Sequence, residues 1–184
     1  MAWQYALLRL VQNPLNSEEI QENLEWGVVL RDRYPKSHRH ILILPKKVIH
    51  NPMALRSEDL PLIRQMWEYA LSIQEREGPK LIGFHAIPSM FQLHLHVLDH
   101  DLQNINRRET WNSYTTPFLL SPSWVIHELE THGKLCLPEQ IYSDYLKGPM
   151  YCHLCQQTFS TIPEAKRHML CTHASALCES QFRI

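Results

Sequence analysis

The sequence predicts an α+β chain: an antiparallel sheet flanked by helices, then a small ββα module. Three observations predict it. Short apolar runs stand between turn signals at 24–30, 40–44, 81–87 and 91–98. Apolar residues recur at helical spacing in separate stretches rather than in strict alternation with the strands. After Lys147-Gly-Pro the composition changes to a short stretch rich in cysteine and histidine and poor in large apolar side chains. The sequence is therefore divided into 1–147 and 148–184.

Each element has a local reason. Trp3, Ala6, Leu7, Leu10 and Val11 make one face of an N-terminal helix that Asn13-Pro14 ends. Leu24–Leu30 is a strand, and Asp32-Arg-Tyr-Pro-Lys is a turn. His40–Leu44 is a second strand, stopped by Pro45. Ser57 is the expected N-cap of a helix with Glu58 and Asp59 in its first turn. Leu60, Ile63, Trp67, Ala70 and Leu71 form that helix's buried stripe, and Gly78-Pro79 terminates it. Pro88-Ser-Met joins the strands 81–87 and 91–98. The polar stretch 99–116 reads as loop, and Ser123–Gly133 as a further helix.

Composition narrows the function. The chain has 184 residues, is 44% hydrophobic and 20% charged, and carries a formal charge of −1, which excludes a disordered chain and a protein that coats nucleic acid by net charge alone. No apolar run approaches the ~20 residues of a membrane span, and the first residues lack a signal-peptide core. An odd count of 5 cysteines without such a signal points to a reducing compartment and to metal ligation. The 12 histidines against 5 glycines point to metal, phosphate or proton chemistry.

Cys152-x2-Cys155-x12-His168-x4-His173 has the spacing of a structural zinc site. Two cysteines at a hairpin knuckle and two histidines one turn apart on a helix close a tetrahedron around one zinc ion. With all four positions filled, that metal supplies folding energy rather than catalysis. Phe159 is the module's core aromatic, while Ala165 leaves its small core thin and in need of a cover. Thr161, Glu164 and Arg167 stand at base-reading positions. Lys166 and Arg167 read as phosphate contacts, against the alternative of a purely structural or protein-binding module.

The run Phe91–Leu98 alternates without a break. Phe91, Leu93, Leu95 and Val97 then face the core, while Gln92, His94 and His96 share the other face. Such a ladder suits either a metal clamp or phosphate chemistry, in which one imidazole attacks phosphorus and a neighbour holds the oxygens. His85 on the preceding strand and His40 on another are placed to join it. Between 31 and 47 stand Arg31, Arg33, Lys36, Arg39, Lys46 and Lys47 against the one acid Asp32, a segment suited to a polyanion. Lys46 and Lys47 are the DNA-contact candidates there.

Gly83-Phe-His-Ala-Ile-Pro-Ser-Met-Phe-Gln-Leu-His-Leu-His-Val resembles the signature of the histidine-triad (HIT) nucleotide hydrolases and transferases. With Arg31–His40, Trp111-Asn-Ser-Tyr and the C-terminal Cys2His2 spacing, it is similar to the aprataxin family of DNA deadenylases from Trp3 to His173. The resemblance implies a HIT-like sheet followed by a zinc finger. It implies that the chain removes AMP from 5′-adenylated DNA ends left by abortive ligation, with no catalytic metal. His94 becomes the nucleophile, His96 and His40 phosphate contacts, and His85 a phosphate contact and proton donor to the leaving group. Asp32 would hold the ribose hydroxyls beside Lys36, Ser37 and His38, and Ser89 and Met90 would line the phosphate and DNA end. Trp3 would stack on an exposed base pair. The first triad histidine is replaced by Gln92, a position the scheme uses only for orientation. The family's amino-terminal phosphopeptide-binding domain has no counterpart here, so recruitment through it is not expected. The expected partners are adenylated DNA and the AMP or GMP product, with no membrane. The expected state is a monomer, in the nucleus and secondarily the cytoplasm. Two other readings fit fewer features: a small-nucleotide hydrolase acting on AMP-lysine or dinucleoside polyphosphates, and a non-enzymatic zinc-finger DNA binder with a degenerate triad.

Overall fold

In the computed structural model, residues 2–14 and 17–173 are described; Cys178 lies outside them. Six strands form one antiparallel sheet in the order β1 (Ile20–Asn23), β2 (Gly27–Arg31), β3 (His40–Pro45), β5 (Leu95–Leu98), β4 (Leu81–His85), β6 (Leu119–Leu120). The strands expected at 24–30, 40–44 and 81–87 are β2, β3 and β4. β1 has too few apolar residues and β6 too few residues to announce themselves: β1 is Ile-Gln-Glu-Asn at the sheet edge, and β6 is two leucines.

Period two divides β3. Ile43, with Leu95 and Val97 of β5, packs under α2 (Leu60–Glu77) and α4 (Pro122–His132) in the main core. Leu42 and Leu44 face the other way, where Leu7 and Val11 of α1 (Ala6–Gln12) cover them. α4 starts on the Ser121 hydroxyl, which accepts the Trp124 amide at 3.2 Å, and ends on Gly133 at φ 71. That left-handed end is one glycine adopts without cost. Gly83 is fixed by a close approach: a Cβ there would lie 2.8 Å from the Leu120 carbonyl oxygen and 2.6 Å from Leu119 Cγ.

Two expectations are corrected. The stretch 99–116 is not all loop: Arg108–Thr115 is α3, which buries Trp111, Asn112 and Tyr114. Its helical signal is hidden because polar Asn112 is buried by donating to the Leu146 and Gly148 carbonyls. The run 91–98 is not one strand. Gln92 sits at φ 83, and β5 begins only at Leu95. A second unread helix, α5 (Glu139–Lys147), follows.

Beyond it, β7 (Met150–Tyr151), β8 (Thr158–Phe159) and α6 (Ile162–Thr172) make the ββα module. The cover that Ala165 needs is the sheet side of the chain. Ala165, Met169, Phe159 and Met150 share one apolar cluster with Leu98, Leu102, Ile105 and Trp111. The Trp111 indole donates to the Tyr151 carbonyl at 2.9 Å. Among the described residues no helix is long and apolar enough to cross a membrane.

Candidate active site

The histidines gather on the sheet face opposite α2 and α4, between the α1 cluster and the cluster shared with the ββα module. Register puts them there. His96 pairs with Leu42 on one side and Gly83 on the other, and His40 pairs with Leu98. Gly83 matters because its neighbour strand β6 then lies close enough for His85 to pair with Leu119. Ring centroids are 4.3 Å apart for His85–His96, 4.8 Å for His94–His96 and 5.2 Å for His40–His96.

Hydrogen bonds assign the tautomers. His94 Nδ1 lies 2.9 Å from the Gln92 carbonyl, which only accepts, so Nδ1 carries the proton and Nε2 a bare lone pair. Two groups contest His40 Nδ1: the Lys36 amide at 3.2 Å and Asp32 Oδ2 at 3.3 Å. The amide hydrogen is fixed by the backbone and points at the ring, so it requires a lone pair on Nδ1, whereas the Asp32 carboxylate is held through its other oxygen, Oδ1, by the Tyr34 amide at 2.8 Å. His40 Nδ1 therefore accepts, and His40 Nε2–H donates to His96 Nδ1 at 2.9 Å. The proton of His96 is left on Nε2, buried and without a partner among the described residues. His85 also has a buried Nε2 without a partner among the described residues, and it bonds the Ser113 backbone, which falls to Nδ1–H. The site thus presents one N–H (His96) and two lone pairs (His94, His85).

Burial keeps these rings neutral. Desolvation lowers His40 to about 4, overriding the opposing pull of Asp32. It lowers His85 and His96 well below the usual histidine value, with the neighbouring histidines and Lys36 adding to the effect. His94 is lowered by burial too, offset in part by its bond to the Gln92 carbonyl. Each unsatisfied buried nitrogen costs about 1–3 kcal/mol until a ligand's oxygen or proton meets it.

The remaining sequence candidates sort themselves. Asp32 and Lys36 border the histidines. Met90 packs in the α1 cluster, and the Phe91 amide donates to the Gln4 carbonyl at 2.8 Å, so the segment before α1 lies against the 89–91 loop. Ser89 and Trp3 stand exposed there, Trp3 at 51%. Lys46 and Arg167 are exposed and Lys166 partly so. Two candidates, Ser37 and Lys47, have side-chain partners of their own. Ser37 is fully buried and its hydroxyl donates to the Arg39 carbonyl, so it shapes the turn rather than facing a ligand. The backbone amide of His38 is held by Asp101, and its side chain is exposed. Lys47 lies 2.6 Å from Asp59 and 3.5 Å from Glu58, which cancel its charge. Gln92 is turned away from the ladder. Its amide nitrogen donates to the Pro45 and Lys47 carbonyls at 2.6 and 3.0 Å, and its oxygen accepts the Ile49 amide at 3.4 Å.

Sequence reading missed the aromatic wall. Tyr114 of α3 contacts His40, His85 and His96 at centroid distances of 5.9, 4.7 and 5.4 Å, and Phe118 contacts His85 at 5.4 Å. The Trp111-Asn-Ser-Tyr motif was visible, but its approach to the histidines is a tertiary fact.

In the C-terminal module the four ligand candidates converge, all within 4.8 Å of one another. Zinc bond lengths imply edges of about 3.3 Å between two nitrogens and about 3.5 Å between nitrogen and sulfur. The structure has His168 Nε2–His173 Nε2 at 3.2 Å, Cys155 Sγ–His168 Nε2 at 3.3 Å and Cys152 Sγ–His173 Nε2 at 3.4 Å. The residues fit zinc. Glu164, at a base-reading position, is engaged in capping α6: its carboxylate accepts the Ser160 amide at 3.0 Å.

The family model described as "Scavenger mRNA decapping enzyme C-term binding" matches residues 5–110. Aprataxin of Gallus gallus is 35% identical over 174 residues, 91% of this chain and 54% of that protein. An aprataxin-like protein of Saccharomyces cerevisiae is 27% identical over 200 residues, covering 87% of this chain and 90% of its own length. The crystal structure of aprataxin ortholog Hnt3 in complex with DNA matches with a TM-score of 0.79 at 19% identity, over 97% of this chain and 98% of that one, which shows a shared fold. The chain spans about half the length of the vertebrate relatives it matches. The matched region holds all four histidines, and the chain belongs to the histidine-triad-like family that this model describes, as a homologue of the aprataxins.

Proposed function

We propose that the chain is a histidine-triad hydrolase that releases AMP from 5′-adenylated DNA ends through a covalent adenylyl-His94. The carrying observation is the tautomer set: the Gln92 carbonyl holds the His94 proton on Nδ1, which leaves Nε2 as a nucleophile beside the His96 N–H. His94 Nε2 attacks the adenylate phosphorus, and the bond from phosphorus to the oxygen of the DNA 5′-phosphate breaks. His96 Nε2–H donates to a phosphoryl oxygen and offsets its growing charge. His85 is neutral without substrate. A bound phosphate anion offsets the burial that lowers it, so it gains a proton and gives it to the leaving phosphate. Water then attacks the phosphorus, its proton passes to His85 Nε2, and the bond to His94 breaks. Asp32 and Lys36 border the place for the ribose and its phosphate.

The DNA-bound structure of the fold relative supports DNA as the partner, and nuclear action follows from that reading. Zinc, held by Cys152, Cys155, His168 and His173, would supply folding energy to the region from Gly148 onward, which we treat as a module built onto a 1–147 catalytic domain. The test is AMP release from an adenylated nicked duplex. His94→Ala is expected to abolish release and the trapping of labelled AMP on the protein while DNA binding persists. Normal turnover by that variant would end the proposal, and faster turnover of AMP-lysine than of the nick would favour a small-nucleotide substrate.

A further inference from the structure

The sequence offers one basic segment for a polyanion; the structure redistributes it. Arg39 is tied to Glu77 at 2.6 Å and Lys47 to Asp59 and Glu58. Arg33 is 73% exposed and only 3.8 Å from Glu19, a weak pairing. Across from Arg33 and Lys36 the chain brings Asn104, Asn106 and Arg107, the turn leading into α3, which the sequence alone left as loop. Together with Tyr34 they line a cleft of ≈ 670 Å³, and none of the described residues that line it carries a carboxylate. The Asn104 amide donates to the Lys36 carbonyl and its side chain to the Ser37 carbonyl, both at 3.1 Å, so the two walls are bonded together.

We infer that this cleft is a binding site for the phosphodiester backbone of a nucleic-acid strand, engaged alongside the histidine site. Three features select that ligand. Arg33, Lys36 and Arg107 are cations from two separate chain segments that converge on one space, as successive phosphates require. Asn106 adds a neutral donor of the kind that nucleic-acid sites use beside their cations, while Asn104 holds the two walls together. Tyr34, 71% exposed with the Arg33 guanidinium over its ring at 6.0 Å, offers a stacking face at the rim. Lys36 links the cleft to the chemistry, because its amide sets the His40 tautomer while the residue lines the cleft wall. The inference rests on the nucleic-acid reading above and adds the path of the strand to it.

The test compares the double variant Arg33→Gln/Arg107→Gln with a charge-matched control, Arg64→Gln/Arg76→Gln, two exposed arginines of α2 that do not line the cleft. Kd for an unadenylated nicked duplex is measured from 50 to 200 mM salt, and AMP-lysine turnover is measured in parallel. Losing two phosphate contacts lowers the slope of log Kd against log salt by about 1.8, so the wild type loses about tenfold more affinity across that range than the double variant. The Arg33→Lys/Arg107→Lys variant should restore the slope, and AMP-lysine turnover should not change. An unchanged slope, or the same fall with Arg64→Gln/Arg76→Gln, overturns the site. Inorganic triphosphate competing as well as duplex at equal phosphate concentration would also overturn it, in favour of a small anion. Because the binding readout needs no adenylate, failure of the proposed hydrolysis leaves this result interpretable on its own.

Discussion

Gln92 is the residue where this chain departs from the triad, and its environment explains what the amide does. A glutamine makes three hydrogen bonds to the 45–49 segment while its own carbonyl fixes the His94 proton. It holds this place at φ 83, a conformation that costs a non-glycine residue about 1–3 kcal/mol and persists only when neighbours impose it. Gln92→Leu should therefore reduce the rate of AMP release by about tenfold to a hundredfold, taking as a guide the range for outer partners that orient metal-ligating histidines. The loss should fall on kcat more than on KM, and an unchanged kcat would remove the orienting role. The buried histidines add a pH signature. A histidine neutral in the fold but free to protonate when unfolded contributes stability that is complete above the unfolded value of about 6.5 and is lost as pH falls. For His40 the loss continues down to about 4, at on the order of 1 kcal/mol per pH unit. Urea midpoints should fall between pH 6.5 and 4 in the wild type and less steeply in His40→Asn.

At the scale of elements, the site depends on how closely β4, β5 and β6 approach. Gly83 is opposite His96, and any side chain there meets the backbone of β6. Gly83→Ala should cost about 1–3 kcal/mol, the range for overpacking, because a carbonyl oxygen cannot swing aside as a leucine tip can. It should also displace His85, which pairs with β6 through Leu119. Thermal melting and AMP release measured together would show this as a lower Tm with reduced turnover at temperatures where the fold is intact. α3 works from the other side: Tyr114 walls three histidines and Ser113 orients His85.

At the scale of the whole molecule, the ββα module and the sheet share one apolar cluster, centred on a fully buried Trp111. Removing metal with a chelator should therefore lower the unfolding temperature of the entire chain, not only of its last turns. Trp111→Ala should cost about 3–5 kcal/mol and weaken metal retention at the same time. Two separate melting transitions, with only the smaller one moved by the chelator, would show that the two parts fold independently.

The sequence by itself determined the elements whose signal is local: the apolar strands β2 to β4, the helices α2 and α4, the Gly78 stop of α2 and the Cys-His spacing of the C-terminal module. The start of α2 was not among them, because its N-cap is Asp59 while the expected cap Ser57 opens a short 3-10 turn before it. It also marked His85, His94 and His96 as one group, because period two and a short connection leave those side chains few other places to go. What it could not decide is everything set by partners distant in the chain. The positive φ of Gln92, the burial of polar Asn112 in a helix and the neutralisation of Lys47 by Asp59 each depend on groups that sequence spacing does not bring together. The tautomers follow the same rule: a ring nitrogen's proton goes where a backbone carbonyl or amide meets it, and only the folded chain places that carbonyl or amide.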